Sequence, residues 1–291
     1  MTKDNPKPSP PGRGLGEKAS ATEQDTTKTS TPLLPLPPGE GRGEGKPPAP
    51  SLGQSAQTPP HGSTTPPPYQ RNQTPLLKLL TWLSPAFPTG AFAYSHGLEW
   101  AVESGDIPTE SALTTWLEDL LRHGPGRTDA ILLRHAHRAP DLPALAAVAE
   151  LAAAAQPTRE RQAETLGQGA AFTLAAAVWG APLLAALAAA GTPTPYPVAV
   201  GALARAHAVP EDDAALAALH AFTANIVSAA VRLVPLGQTA GLRVLARLEP
   251  AITAVAAESR NATLDDLGGA CFRSDIAAMR HETQYTRLFR S

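Results

Sequence analysis

The stretch "PTESALTTWLEDLLRHG", Pro108 to Gly124, places Leu113, Trp116, Leu117, Leu120 and Leu121 at i, i+3, i+4, i+7 and i+8. That spacing draws one apolar stripe along a helix, with the charged residues opposite, and His123-Gly124 ends it. The same period recurs outward from this segment. Ile131, Leu132 and His135 continue it between Thr128 and Arg138, and Asp141 can cap a helix holding Leu145, Val148 and Leu151. Thr158 can cap "TRERQAETLGQG" (Thr158–Gly169), where Gly167 and Gly169 allow close helix approach. "APLLAALAAA" (Ala181–Ala190) makes a short buried helix, and Gly191 opens a Pro-rich turn. The longest run goes from Pro210 to Leu233, with acids behind the proline and Leu219, Phe222, Ile226, Ala230 and Leu233 on its inner face. Gln238 to Arg260 supplies another long helix, and Ser274 with Asp275 can cap a last one through about His281. No segment alternates as a strand does. The expectation is an all-α fold: a single-domain bundle of about ten helices over residues 74–291.

Residues 1–73 contrast with this. They are rich in Pro, Gly, Ser, Thr and Lys, carry one aromatic (Tyr69), and contain a loose self-repeat, "PPGRGLGEK" against "PPGEGRGEGK". Such a composition predicts a disordered extension, because it offers too little apolar surface to offset chain entropy. A net charge of −2 gives no electrostatic case for nucleic acid. One cysteine, Cys271, excludes an internal disulfide and an all-cysteine zinc site, and fits a reducing, cytoplasmic setting. No charged residue lies between Glu164 and Arg205, but Gly180 and Pro182, Pro193, Pro195 and Pro197 cut that span short of a membrane helix. A buried helical hairpin is expected there, with no membrane partner.

Catalytic constellations are absent. There is no HExxH, CxxC, P-loop or GxGxxG pattern. His135 and His137 stand two apart, roughly 200° around a helix, and cannot chelate one metal. Ser95-His96 resembles a nucleophile and base, but the sequence nominates no buried carboxylate to orient the ring. Cys271 reads as a small packed residue.

Recognition chemistry is present in two segments. "SPAFPTGAFAYSHGLEW" (Ser84–Trp100) holds Phe87, Phe92, Tyr94 and Trp100 in a loop stiffened by prolines, which lowers the ordering cost of binding. Its aromatics either anchor a partner or plug the end of the bundle. The C-terminal "SDIAAMRHETQYTRLFRS" (Ser274–Ser291) interleaves Arg with Tyr285, Leu288 and Phe289, in the manner of a docking arm. Lacking a surface of its own to bury these side chains, the arm is expected to be mobile in the isolated chain.

These two segments, together with "AAVRLVPLGQT" (Ala229–Thr239), resemble the UreF family of urease accessory proteins in consistent order from about Leu76 to Ser291. Residues 1–70 lie outside the likeness, and Ala86, Thr89 and Ala91 are mild departures. The resemblance implies an all-α, dimeric, non-catalytic chaperone that bridges UreD (UreH) and the GTPase UreG for nickel insertion into apo-urease. It implies partner contacts at Ser84, Phe87, Pro88, Thr89, Gly90, Tyr94, His96 and Glu99 of the opening loop. In the arm it implies Arg280, His281, Glu282, Tyr285, Arg287, Leu288, Phe289 and Arg290. Arg159, Arg161, Arg232 and Gln238 are candidates for a GTPase-facing or dimer surface, and an arginine acting in trans on the GTPase, Arg122 included, is conceivable. No cofactor is expected to stay bound; nickel passes through the assembled complex. The alternative is a metallochaperone holding nickel through its own histidines, such as His96, His123 and His281. The scattering of those histidines favours the scaffold.

Overall fold

A computed structural model describes residues 74–291, so the expectation for residues 1–73 lies outside the described residues. Among the described residues there are eleven α-helices and no strand. They are α1 Thr74–Trp82, α2 Leu98–Glu103, α3 Glu110–His123, α4 Pro125–Arg138, α5 Leu142–Ala154, α6 Arg159–Ala176, α7 Pro182–Ala189, α8 Tyr196–Ala206, α9 Glu211–Leu233, α10 Gly237–Glu258 and α11 Phe272–His281. Thr109, Asp141 and Thr158 each turn a side-chain oxygen onto the backbone N–H three residues on, which satisfies one orphan donor per helix start. The last helix departs from expectation. It begins at Phe272 with Cys271 outside it, so Ser274 and Asp275 sit inside its first turn. The chain is drawn in early because Ala270 N–H bonds the His123 carbonyl at 2.9 Å, and the Asp275 N–H to Cys271 carbonyl bond then starts the helix.

Two apolar cores share α4 and α9. Leu132, Leu133 and Ala136 of α4 join Phe172, Leu145, Leu187, Val198 and Leu203 in one. Ala130 of α4 joins the stripe of α3, the inner face of α9 and Val244, Leu248, Ile252 and Val255 of α10 in the other. The α3 stripe is buried, Trp116 included. Between the cores runs Arg134, 1% exposed. It donates to Ser259 Oγ (3.0 Å), the Ala256 carbonyl (2.7 Å), Glu211 (2.6 Å) and Asp212 (2.8 Å), so one guanidinium ties α4 to the start of α9 and the end of α10. By length and composition α9 is the one described helix apolar enough to cross a bilayer, not the uncharged span singled out in the sequence. Here it is the central helix, with residues in both cores. The expected hairpin exists as α6 to α8, but only α8 is buried nearly throughout; α7 buries just Leu184 and Leu187.

Alanine-rich helices gain their stability by approaching closely, and glycine sets the limit. A Cβ on Gly201 would stand 2.2 Å from the Leu133 carbonyl, and one on Gly169 only 1.8 Å from the Thr194 carbonyl. Gly167 differs from the close-approach role expected of it: its Cβ would merely touch Tyr94 Oη at 3.4 Å. Gly169→Ala should therefore cost at least ~1–3 kcal/mol through forced backbone movement. Gly167→Ala should be neutral or stabilise by up to ~1 kcal/mol, as for an open helical site. Urea denaturation of the two variants checks this, and equal effects would contradict the packing.

Candidate functional site

The opening loop runs from α1 to α2 and includes a 3-10 turn at Ala91–Ala93. Its aromatics divide. Phe87 packs on Phe172 (5.2 Å between ring centroids) and Trp179 (6.0 Å), and Tyr94 is buried, so both serve the core. Phe92 is 68% exposed and is the aromatic that the loop presents to solvent. Pro88 is exposed; Ser84 and Gly90 are half-buried, with the Ser84 hydroxyl accepting from Ala86 N–H. Thr89, His96 and Glu99 are buried. Gly97 holds φ +75° where a Cβ would meet the Ala278 backbone at 2.6 Å, which lets α11 lie against the loop. His96 takes φ +58°, a costly conformation for a non-glycine residue.

What holds His96 there is a carboxylate the sequence did not nominate. Glu164 Oε1 lies 2.8 Å from His96 Nε2. The same oxygen accepts from Gln168 Nε2 (2.9 Å), while Oε2 accepts from Arg161 and from the Ser291 hydroxyl (2.7 Å). Arg161, Glu164 and Gln168 fall at i, i+3 and i+7, one polar face of α6 turned inward, which was the available signal. Burial works to raise the Glu164 pKa, but Arg161, His96 and the Ser291 hydrogen bond outweigh it and hold the carboxyl at about 2. Burial, followed by Arg161, lowers the His96 pKa, so the ring is neutral near pH 7.

Beside this lies a second buried carboxylate. Glu99 accepts from Leu288 N–H (2.7 Å) and Phe289 N–H (2.9 Å), and it meets His281 Nε2 at 3.1 Å. His281 Nδ1 faces Glu160 at 2.6 Å, and Glu160 also accepts from Arg287 at 2.8 Å. The arm is thus seated on its own chain, contrary to the mobility expected from its sequence. Arg290 N–H bonds the Ala93 carbonyl at 2.8 Å and Ser95 N–H bonds the Ser291 carbonyl at 2.9 Å. The Ser95 hydroxyl also donates to Ser291, not to His96, so no nucleophile–base pair forms. Phe289 is 5% exposed under the Arg232 guanidinium, whereas Tyr285 and Leu288 are 103% and 75% exposed. The physical reason is that α2 and α6 supply the polar sockets that the last residues need, a long-range match invisible to local pattern.

The remaining candidates separate. Arg161 is buried and paired with Glu164, so it cannot reach a partner in this state, while Arg159, Arg232 and Gln238 are exposed. Glu282 accepts from the Arg159 N–H at the start of α6 (3.1 Å), and Arg280 is exposed. His96, His123 and His281 do not combine: among the described residues no three His, Cys, Asp or Glu side chains are placed to hold a metal. His135 and His137 instead meet the Ala262 and Val209 carbonyls.

Half-buried Asp129 of α4 borders the same interior, and desolvation there, reinforced by Glu164 and opposed by Arg161, pushes its pKa up to about 7 from 3.8. The folded chain then binds a proton that the unfolded chain has lost between about pH 4 and 7. Asp129 therefore subtracts stability as pH rises through that window. Asp129→Asn should flatten this part of the stability profile, matching the parent near pH 4 and exceeding it at pH 7 to 8. Urea midpoints across the range test this, and parallel profiles would contradict it.

Comparisons with known proteins converge on one family. The UreF family model matches residues 107–249. A urease accessory protein UreF of Rhodopseudomonas palustris (strain TIE-1) is 52% identical over 239 residues, covering 80% of this chain and 99% of the relative. The corresponding UreF of Bradyrhizobium diazoefficiens is 54% identical over 226 residues (76% and 93%). That of Xanthobacter autotrophicus is 56% identical over 221 residues (74% and 91%).

Proposed function

Because the chain belongs to the UreF family of urease accessory proteins, we propose that it is a non-catalytic scaffold of urease maturation. In this reading it joins UreD (UreH) to the GTPase UreG, acts as a cytoplasmic homodimer, and lets nickel pass through the assembly into apo-urease without retaining it. The observation that carries the reading is the joint surface of opening loop and arm. Backbone hydrogen bonds lock Ala93 and Ser95 to Arg290 and Ser291, so loop and arm form one unit. That unit and the adjoining outer face of α11 turn Phe92, Phe272, Ile276, Met279, Tyr285 and Leu288 to solvent. Exposed apolar side chains set among Arg273, Arg280, Arg287 and Arg290 have the make-up of a protein interface rather than of a solvated end. This surface is the UreD-facing one in our reading.

The buried members of the two segments act by shape. Tyr94, His96, Glu99 and Phe289 fix the presentation of side chains they do not themselves expose. UreG is met in this reading through Arg159, Arg232 and Gln238, the candidates whose side chains reach solvent, with Arg159 and Arg232 beside the arm. Modulation of GTP hydrolysis through such an arginine belongs to this proposal.

Co-purification with UreD and UreG tests it. Replacing Tyr285 and Leu288 together by alanine should weaken capture of UreD about tenfold or more and leave the melting temperature unchanged. Phe289→Ala should lower the melting temperature itself. Full capture of UreD by the double variant would overturn the assignment of this surface.

A further inference from the structure

His281 is fully buried, and both of its ring nitrogens face carboxylates. Nε2 lies 3.1 Å from Glu99 Oε2 of α2, and Nδ1 lies 2.6 Å from Glu160 Oε2 of α6. A neutral imidazole has one N–H and one lone pair, so it can serve only one of two acceptors. The other oxygen would then face a lone pair at hydrogen-bond distance inside the chain, where an unmet polar atom is costly. Moving a proton onto a carboxyl does not remove the conflict. Glu99 accepts the Leu288 N–H on Oε1 and the Phe289 N–H on Oε2, so both of its oxygens already act as acceptors. Glu160 accepts from Arg287 on its other oxygen at 2.8 Å, and that charge favours the ionised carboxylate. The arrangement that satisfies every contact is an imidazolium between two carboxylates. His281 and Arg287 then balance Glu99 and Glu160. The other acids of this corner are committed elsewhere: Glu103 accepts from Gln284 Nε2, and Glu282 accepts from the Arg159 N–H.

From this geometry we propose that His281 is a proton-operated latch for the C-terminal arm, closed while the ring carries a proton on both nitrogens. Glu99 is the link, because the carboxylate that the ring holds is the one that receives the Leu288 and Phe289 amides. Glu160 is the second link, since it joins the same ring to Arg287 of the arm. Two charge-assisted contacts thus hold the arm to α2 and α6 through one side chain. Loss of a ring proton sets a carboxylate against a lone pair and leaves one negative charge unmatched, a conflict relieved when the arm or the end of α11 moves away. Ring protonation and arm seating therefore favour each other. Seating is strongest at lower pH and weakens as pH rises through the titration of the ring. Tyr285 and Leu288 are presented from between these anchor points, so opening the latch disperses the exposed surface. The latch stands on the chain's own contacts; its effect on capture of UreD rests on the scaffold reading above.

The test follows the full chain, labelled with 13C and 15N, by NMR from about pH 6 to about pH 9, across the range in which histidine changes charge. The ring nitrogens of His281 are read together with amide exchange at Leu288 and Phe289, corrected for the intrinsic rate at each pH. The expected result is a doubly protonated ring at the low end. As it loses a proton, protection of the two amides should fall about tenfold or more, with the amides of α4 unchanged. Glu160→Gln supplies the control. Its side-chain amide can donate to Nδ1 while its oxygen still accepts from Arg287, so a neutral ring suffices and the arm should stay seated at every pH. A ring with one proton throughout, beside protected amides in the parent, overturns the latch. So does a ring that titrates with no change at Leu288 and Phe289, one that keeps both protons to the end of the range, or a Glu160→Gln chain with the parent's pH dependence. The measurements on the unaltered chain decide the matter even if the variant fails to fold. Pull-down of UreD with the parent chain separates the two readings. Ring and amides that titrate together without any capture keep the latch and remove the UreD-facing surface, whereas capture by a chain whose ring is neutral throughout keeps the scaffold and removes the latch.

Discussion

Glu164 is the group on which the recognition end of this molecule depends. A carboxylate with 2% exposure is tolerable only if nearly every lone pair is engaged, because an ionised group loses its hydration on burial. Here the engaging groups come from three parts of the chain: His96 in the opening loop, whose Nε2 also lies 2.9 Å from Arg161 Nη1, Arg161 and Gln168 on the same helix, and Ser291 in the arm. One side chain thereby fixes the left-handed backbone of His96, the inward polar face of α6 and the end of the arm. Glu99 repeats the device one layer away, with His281 and the Leu288 and Phe289 amides as its donors.

A division of labour follows between what is buried and what is shown. The polar residues of loop and arm, which on their own suggest a reactive or binding surface, are largely spent on each other inside the chain. What is shown to solvent is apolar area set among arginines: Phe92 from the loop, Tyr285 and Leu288 from the arm, and the outer side of α11, beside Arg273, Arg280, Arg287 and Arg290. Rigid polar scaffolding beneath and apolar contact area above reduce the ordering cost that a loose arm would pay on binding.

The fold was legible in the sequence where chemistry is local. The stripe from Leu113 to Leu121 and the caps at Asp141 and Thr158 depend on residues a few positions apart, and the helices stand where those signals place them. The site was legible only in its location. Which aromatics of Ser84–Trp100 face inward depends on Phe172 and Trp179, some eighty residues on. That the arm is seated depends on Glu99 and Glu160, which lie 190 and 127 positions before Phe289 and Arg287. Periodicity carries no information about such pairings. The Arg161, Glu164 and Gln168 face was readable as polar residues at helical spacing, and its charge partner became identifiable only with the loop in place.

The central claim is that the arm belongs to the folded chain before any partner arrives. Amide hydrogen exchange of the isolated protein tests it most directly at Leu288 and Phe289, whose N–H groups point at Glu99. The account predicts that both exchange slowly, on the scale of the buried turns of α11, and that Glu99→Gln speeds them selectively. Exchange at the rate of an unstructured peptide would show that the arm is free and contradict the account.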